Sequence, residues 1–307
     1  MTTNKNIHLI KGENIDRVKW DACIDNADNG LIYPYSFYLD SQAKNWDGLV
    51  LNDYEAVMPL TWNRKYGIYY LYQPFLCAQL GLFGKNISPG LLQDFFKAIP
   101  GKFNYWDIYL NSGNDFTLDN FKLYRRSNYI VNLQKPYENL YQAYRENIKR
   151  NIQKAKQAGC SVHKDINPGE VIALAKKQMK VFARVTKKDF ENIETLNNLL
   201  YQRGKAITYG ITSQKHTLLA SCIFFFSHNR AYYILVGNHP IGKTLGASHM
   251  LIDAFIHEHA EKNIILDFEG SDIKTLAFFY SSFGAIEEKY TAIRRNKLPS
   301  YVKWLKK

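Results

Sequence analysis

The stretch LDFEGSDIKTLAFFYSSFGA, residues 266–285, says more about the fold than any other part of this 307-residue chain. Ile264, Ile265 and Leu266 read as a buried strand end. A polar turn follows at Glu269-Gly270-Ser271-Asp272. Leu276, Phe279, Tyr280 and Phe283 then recur at spacings of three and four, the period of one helix face. Gly284 ends that helix, because glycine accepts the left-handed backbone past a last turn. Apolar residues resume at Ala285 and Ile286. By periodicity alone, Tyr280 is a half-buried aromatic on an amphipathic helix.

Upstream, the pattern predicts three strands, Ala206 to Thr212, Thr217 to Ser227 and Ala231 to Val236, whose polar turns suit an antiparallel meander. Gly242 to Gly246 leads into a helix reaching about Lys262. Earlier still, helices are expected over Tyr137 to Ala158, Gly169 to Arg184 and Asp189 to Arg203. The first half reads as helices at Asn14 to Ala27 and Tyr35 to Asn45, the latter with Ser36 as cap. Strands follow at Gly48 to Leu51, Glu55 to Trp62 and Gly67 to Tyr72. A helix from Ser88-Pro89 to Ile99 comes next, then strands at Tyr105 to Leu110 and Tyr124 to Leu133. Lys135-Pro136 is a natural boundary, since proline disfavours helix in the residue before it. The two halves share an order of elements, which predicts an α/β (α+β) protein with two copies of one mixed, mostly antiparallel unit: 1–135, 136–296 and a basic tail, 297–307, packing back on the first.

Composition fits a globular protein, with 15% aromatic residues. Leu218 to Phe226 is the longest apolar run, far below the roughly 20 residues a membrane helix needs. The first residues carry no apolar signal core, so a cytoplasmic location is expected. Cys23, Cys77, Cys160 and Cys222 lie far apart, without metal-ligand or redox spacing. His249, His257 and His259 sit at helical spacing without a carboxylate pair, so no metal is expected. Charge is uneven. Residues 1–135 carry 14 basic against 13 acidic residues, residues 136–307 carry 26 against 15, and residues 145–188 alone hold 12 against 3. Such a field suits a polyanion: coenzyme A, a nucleotide-linked sugar, tRNA or an anionic membrane face. A solvated basic helix explains it equally.

The order strand, polar turn, short helix, glycine, strand resembles the closing segment of GNAT-fold acyltransferases. In that family a tyrosine at the position of Tyr280 protonates the departing coenzyme A thiolate. Lys243-Thr244-Leu245-Gly246-Ala247-Ser248 is similar to the family's pyrophosphate loop, with a basic residue first and glycine fourth, though Ser248 stands where glycine or alanine is usual. Free amides at such a helix start attract phosphate; close packing at Gly246 is the structural alternative. Tyr144 to Cys160, YRENIKRNIQKAKQAGC, resembles the basic helix that begins the second module of FemAB-type peptidyltransferases and their double-GNAT relatives.

The resemblance implies a sheet whose middle strands splay, an acyl donor between them, and a backbone amide near Val236 or Gly237 polarising its carbonyl. Tyr280 would be the acid. Glu269 is the favoured base over Asp267 and His239, with a turn role for Glu269, and helix caps at Ser271 and Asp272, as the structural alternatives. Lys243, Thr244, Gly246, Ala247 and Ser248 would hold the cofactor, and Arg145, Lys149, Arg150 and Lys154 a polyanion or the acceptor. The leading expectation is N-acyl transfer from acetyl-CoA, or another acyl-CoA, to an amine. The alternatives are a FemAB-like transferase using charged tRNA with a cell-wall or lipid acceptor, and a non-catalytic double module that binds a polyanion or a partner. The oligomeric state is left open.

Overall fold

The computed structural model of the chain describes residues 6–179, 185–270 and 272–299. Its contacts separate two compact units, residues 6–126 with 289–299, and the described residues of 127–288. Neither break falls where the sequence suggested. Residues 127–135 join the second unit because Ile130, Val131 and Asn132 pair with Asp267, Leu266 and Ile265, and the Leu133 N–H donates to Ile264 at 3.0 Å. Residues from Lys289 join the first because Ala292 to Asn296 pair with Tyr109 to Tyr105. Of the expected tail, Ser300 to Lys307 lies outside the described residues.

In the first unit, strands β1 (Ile7–Ile10), β2 (Trp46–Leu51), β3 (Ala56–Lys65) and β4 (Ile68–Tyr72) form an antiparallel run. The short β5 (Phe83–Gly84) adds to β3, and β6 (Phe103–Tyr109) lies parallel to β4. Helix α1 (Arg17–Asp25) starts on Asp16, whose carboxylate accepts from the Val18 and Lys19 N–H groups. In α2 (Ser36–Gln42) Ser36 is the first helical residue and Tyr35 the cap; the Ser36 hydroxyl donates to Asp21 instead of capping. Helix α3 (Pro89–Ala98) is capped as expected, with Ser88 Oγ accepting from Leu91 N at 3.2 Å. Its Leu92, Phe95 and Phe96 pack on Met58, Leu71 and Trp106.

The second unit holds the end of β7 (Leu123–Asn132), then β8 (Ser161–Lys164), β9 (Ala206–Thr212), β10 (Leu218–Ser227), β11 (Arg230–Asn238) and β12 (Ile265–Asp267). The order is β8-β9-β10-β11-β12-β7, antiparallel except for the parallel β11–β12 pair. The central strand β10 is buried from Leu219 to Phe225 because helices cover both faces, as in any two-sided layer. Its even residues Cys222 and Phe224 meet the cluster built by α5 (Glu146–Gln157) and α9 (Ala247–His259). Helices α6 (Pro168–Met179) and α7 (Lys187–Gln202) cover the other face. Residues 180–184, where the first of these was expected to continue, lie outside the described residues. The last strand, β13 (Ile286–Asn296), follows α10 (Lys274–Ser281).

One predicted helix is two. Tyr137 to Ala158 breaks into α4 (Tyr137–Gln142) and α5, with Arg145 extended between them. The break is stabilised from a distance: the Arg145 N–H donates to Ser282 O at 2.9 Å, and Tyr144 turns into the core against Phe283, ring centroids 5.3 Å apart. Propensity alone favours the continuous helix, and the tertiary contacts override it.

Candidate active site

The parallel strands β11 and β12 meet only from Arg230 to Tyr232. Past that point β12 has ended. Its chain turns away through Phe268, with Glu269 at φ +61° and Gly270 at φ +82°. Strand β11 continues to Asn238 with that edge open. The register also shifts between Ile223 and Phe224, leaving Ile234 without a partner residue on β10. Such a bulge changes which amides point to which edge. Downstream of it, the Asn238 N–H points away from β10 and donates to Gln178 Oε1 at 2.8 Å. Val236, two residues earlier, presents its N–H to the same edge.

A cleft of about 500 Å³ fills this splay. Val236, Lys243, Ser248, Glu269 and Tyr280, all singled out from the sequence, line it. Tyr280 lies flat on Phe268, centroids 4.6 Å apart and planes 12° from parallel. Burial, then the Glu269 carboxylate and the Cys222 thiol, push its phenol well above the usual range. Tyr280 therefore stays protonated at neutral pH and is equipped to donate a proton, not to accept one.

Glu269 is held at the rim by the residue two before it. Its N–H donates to Asp267 Oδ1 at 2.8 Å, and Asn128 Nδ2 donates to the same oxygen at 3.0 Å. Asp267 Oδ2 takes Arg230 Nη1 at 2.8 Å, and Arg230 Nη2 reaches Glu288 Oε1 at 2.5 Å. Asp267 is buried in this network and spent on it, which leaves Glu269 as the carboxylate facing the cleft. His239, the other candidate base, caps a helix: its Nδ1 accepts from Ile241 N at 3.2 Å. The start of α10 differs from the expected capping by Ser271 and Asp272 in one respect, the identity of the N-cap residue. Its N-cap is Ile273 without a side-chain bond, Asp272 accepts from Ser127 N at 3.2 Å, and Ser271 lies outside the described residues.

The remaining predicted residues are less convergent. Gly237 faces α6, where a Cβ would sit 2.8 Å from Ala175 N. Lys243 and Thr244 are wound into a short helix, α8 (Pro240–Leu245), instead of an open loop. Gly246, at φ +81°, makes the corner into α9, and a Cβ there would meet Asn151 O at 2.4 Å. Ala247 is buried beside it. Of the basic residues, Arg145 lies 4.7 Å over the Phe278 ring and Lys149 pairs with Glu146 at 2.9 Å. Arg150 and Lys154 are exposed on α5 and form no ion pair among the described residues. None of the four lines the cleft.

Sequence reasoning missed Gln178, which arrives from α6, and the catalytic prospect of His249. His249 lines the cleft one residue beyond Ser248, edge-on to Phe279 at 5.0 Å. Burial lowers it to about 4, so it is neutral at pH 7, and its Nδ1 is buried without a hydrogen-bond partner. Position next to the predicted loop was the available signal. Among the described residues, no His, Cys, Asp and Glu group is arranged to hold a metal ion, and no helix is long and apolar enough to cross a membrane.

No family model and no curated protein matches the chain. Solved structures do. FemX superposes with a TM-score of 0.64 at 11% identity, over 97% of this chain and 99% of that one. A conserved protein of unknown function from Bacteroides thetaiotaomicron gives 0.61 at 14%, over 91% and 97%. L-PGS from Bacillus licheniformis gives 0.56 at 11%, over 96% of each chain. At such identities the likeness is one of fold. The splayed β11–β12 pair and the full-length match agree with the sequence resemblance: the chain has a GNAT-like fold, related to that of FemAB-type proteins.

Proposed function

We propose that this protein is an acyltransferase working in the cleft of the second unit, with an amine as acceptor. The splay carries the reading, because it sets an open strand edge, a protonated phenol and a carboxylate around one cavity. The donor carbonyl lies along β11, and the Val236 N–H stabilises the charge that develops on its oxygen. The amine nitrogen attacks the carbonyl carbon and gives its proton to Glu269. The bond to the leaving group breaks, and Tyr280 supplies the proton that group needs. With acetyl-CoA the leaving group is a thiolate.

A second reading of the donor, an aminoacyl ester of tRNA, is favoured by the loop. Asn151 backbone packs against Gly246, and Lys243 and Thr244 are helical, so a short helix and a tight corner stand where an open coenzyme A phosphate loop was expected. An ester also leaves as an alkoxide, which needs an acid such as Tyr280 more than a thiolate does.

The test follows thiol release from acetyl-CoA and uncharged tRNA release from aminoacyl-tRNA, each with a panel of amines. The Tyr280→Phe variant is expected to lose roughly 10²-fold in turnover with donor affinity unchanged. Equal turnover in both forms removes Tyr280 as the acid, and consumption of neither donor by the wild type sinks the reading.

A further inference from the structure

Helix α10 closes one side of the cleft and has no fully buried residue. Leu276 and Tyr280 turn toward the cavity. Ile273, Lys274, Ala277 and Phe278 follow the i, i+1, i+4, i+5 spacing of an outward stripe. Ile273 is 61% exposed and Phe278 53%, while Leu276, at the rim, is 40% exposed. Large apolar side chains standing in water singly are ordinary, but Ile273, Leu276 and Phe278 together on one short helix that borders a cavity are not.

Cations accompany them. Lys274 is exposed within the stripe. The Arg145 guanidinium rests 4.7 Å over the Phe278 ring, and the Arg145 N–H is bonded to Ser282 at the end of α10. Arg145 thus holds the start of α5 against α10, and α5 carries the exposed Arg150 and Lys154. From 145 to 157 the chain has five basic residues and one acidic. Of the acidic neighbours, Glu146 is paired with Lys149, while Asp272 and Glu287 accept from the neutral Ser127 N–H and hydroxyl and keep their charge.

We infer that this rim is a docking surface for an anionic lipid bilayer. Exposed aliphatic and aromatic side chains beside arginine and lysine match the boundary between acyl chains and headgroups, where the former enter and the latter meet phosphate. Ile273 and Leu276 distinguish this occupant from RNA: aliphatic side chains offer bases neither stacking nor hydrogen bonds, whereas they gain by entering lipid.

The experiment is co-sedimentation of the full chain with vesicles of phosphatidylcholine alone and of equal parts phosphatidylcholine and phosphatidylglycerol. The wild type is expected on the anionic vesicles and not the neutral ones. Lys274→Gln should weaken partitioning roughly fivefold, and Ile273→Asp with Phe278→Asp roughly tenfold or more. Thermal unfolding checks that the variants remain folded; Ile273→Ser with Phe278→Ser, gentler on the fold, should show the same direction. Equal recovery on both vesicle types overturns the inference. So does anionic binding that the variants leave unchanged, a wild-type dimer that the variants convert to monomer, or tRNA binding lost in the variants without vesicle binding by the wild type. Vesicle binding without acyl transfer leaves the docking surface standing and defeats the proposed function; transfer to soluble amines without vesicle binding does the reverse.

Discussion

Replacing Arg230 by methionine tests the physical basis of the candidate site. Arg230 sits between Asp267 and Glu288, with N–O distances of 2.8 and 2.5 Å, and all three side chains are largely withdrawn from water. Methionine fills much of the volume but leaves both carboxylates without their cation. Removing one member of a buried ion pair costs roughly 3–5 kcal/mol, because the stranded charge keeps its desolvation penalty. With a urea m-value of about 2 kcal/mol/M, the midpoint falls by about 2 M. The loss must depend on pH. Burial raises the Asp267 carboxyl, Glu288 raises it further, and Arg230 opposes both. In Arg230→Met the folded-state value rises again, above its unfolded value. Such a group stabilises below the unfolded value, about 3.9, and loses that contribution as pH rises through the folded one. The deficit relative to wild type should therefore be largest near pH 7.5 and shrink toward pH 4.5. Unfolding is best followed by circular dichroism and by hydrogen exchange of β11 and β12 amides, since none of the described residues of the second unit is tryptophan. A loss below about 1 kcal/mol, or one of equal size at both pH values, would refute the assignment of a desolvated, mutually dependent network.

Two further outcomes follow from the same geometry. Gly246→Ala should cost roughly 2–4 kcal/mol in chemical denaturation, combining a left-handed backbone at φ +81° with a Cβ set 2.4 Å from Asn151 O. Gly67→Ala is its control: at φ +79° with nothing within 4 Å, it should show only the backbone part, about 1 kcal/mol. His249 is lowered from 6.5 to about 4, so its neutral form is held in the fold. The wild type should lose roughly 2–3 kcal/mol through this group as pH falls from 6.5 toward 4; His249→Gln should flatten that slope, and an unchanged slope would show that His249 is not its source.

The stretch at residues 266–285 shows what could be read and what could not. Its helix period and the glycine stop at Gly284 were legible, and Gly284 does take φ +75°. The meander β9–β11 was legible because turn residues punctuate buried apolar runs. These are local signals, set by backbone sterics and by which neighbours in sequence can share a face. Tyr280 and Glu269 were placed in one cleft by the family resemblance, and the structure brings them there with Val236, Lys243 and Ser248. Gly237 was the alternative to Val236 as the carbonyl-polarising amide, and Thr244 and Gly246 had the right residue types for a phosphate loop, but α6 and α5 occupy the space beside Gly237 and Gly246, and Thr244 is held in α8.

By itself, then, the sequence determined most of the longer elements, their order and the mixed α/β class, because period, capping and turn chemistry act over a few residues. Only the tertiary structure decided the break at Arg145, the bulge that turns Val236 toward an open edge, the Gln178 bond to Asn238, and the Arg230–Asp267–Glu288 network under Glu269. Each joins residues far apart in the chain. Their energies depend on desolvation and on distances fixed when the sheet and helices pack, and no window of sequence contains those quantities.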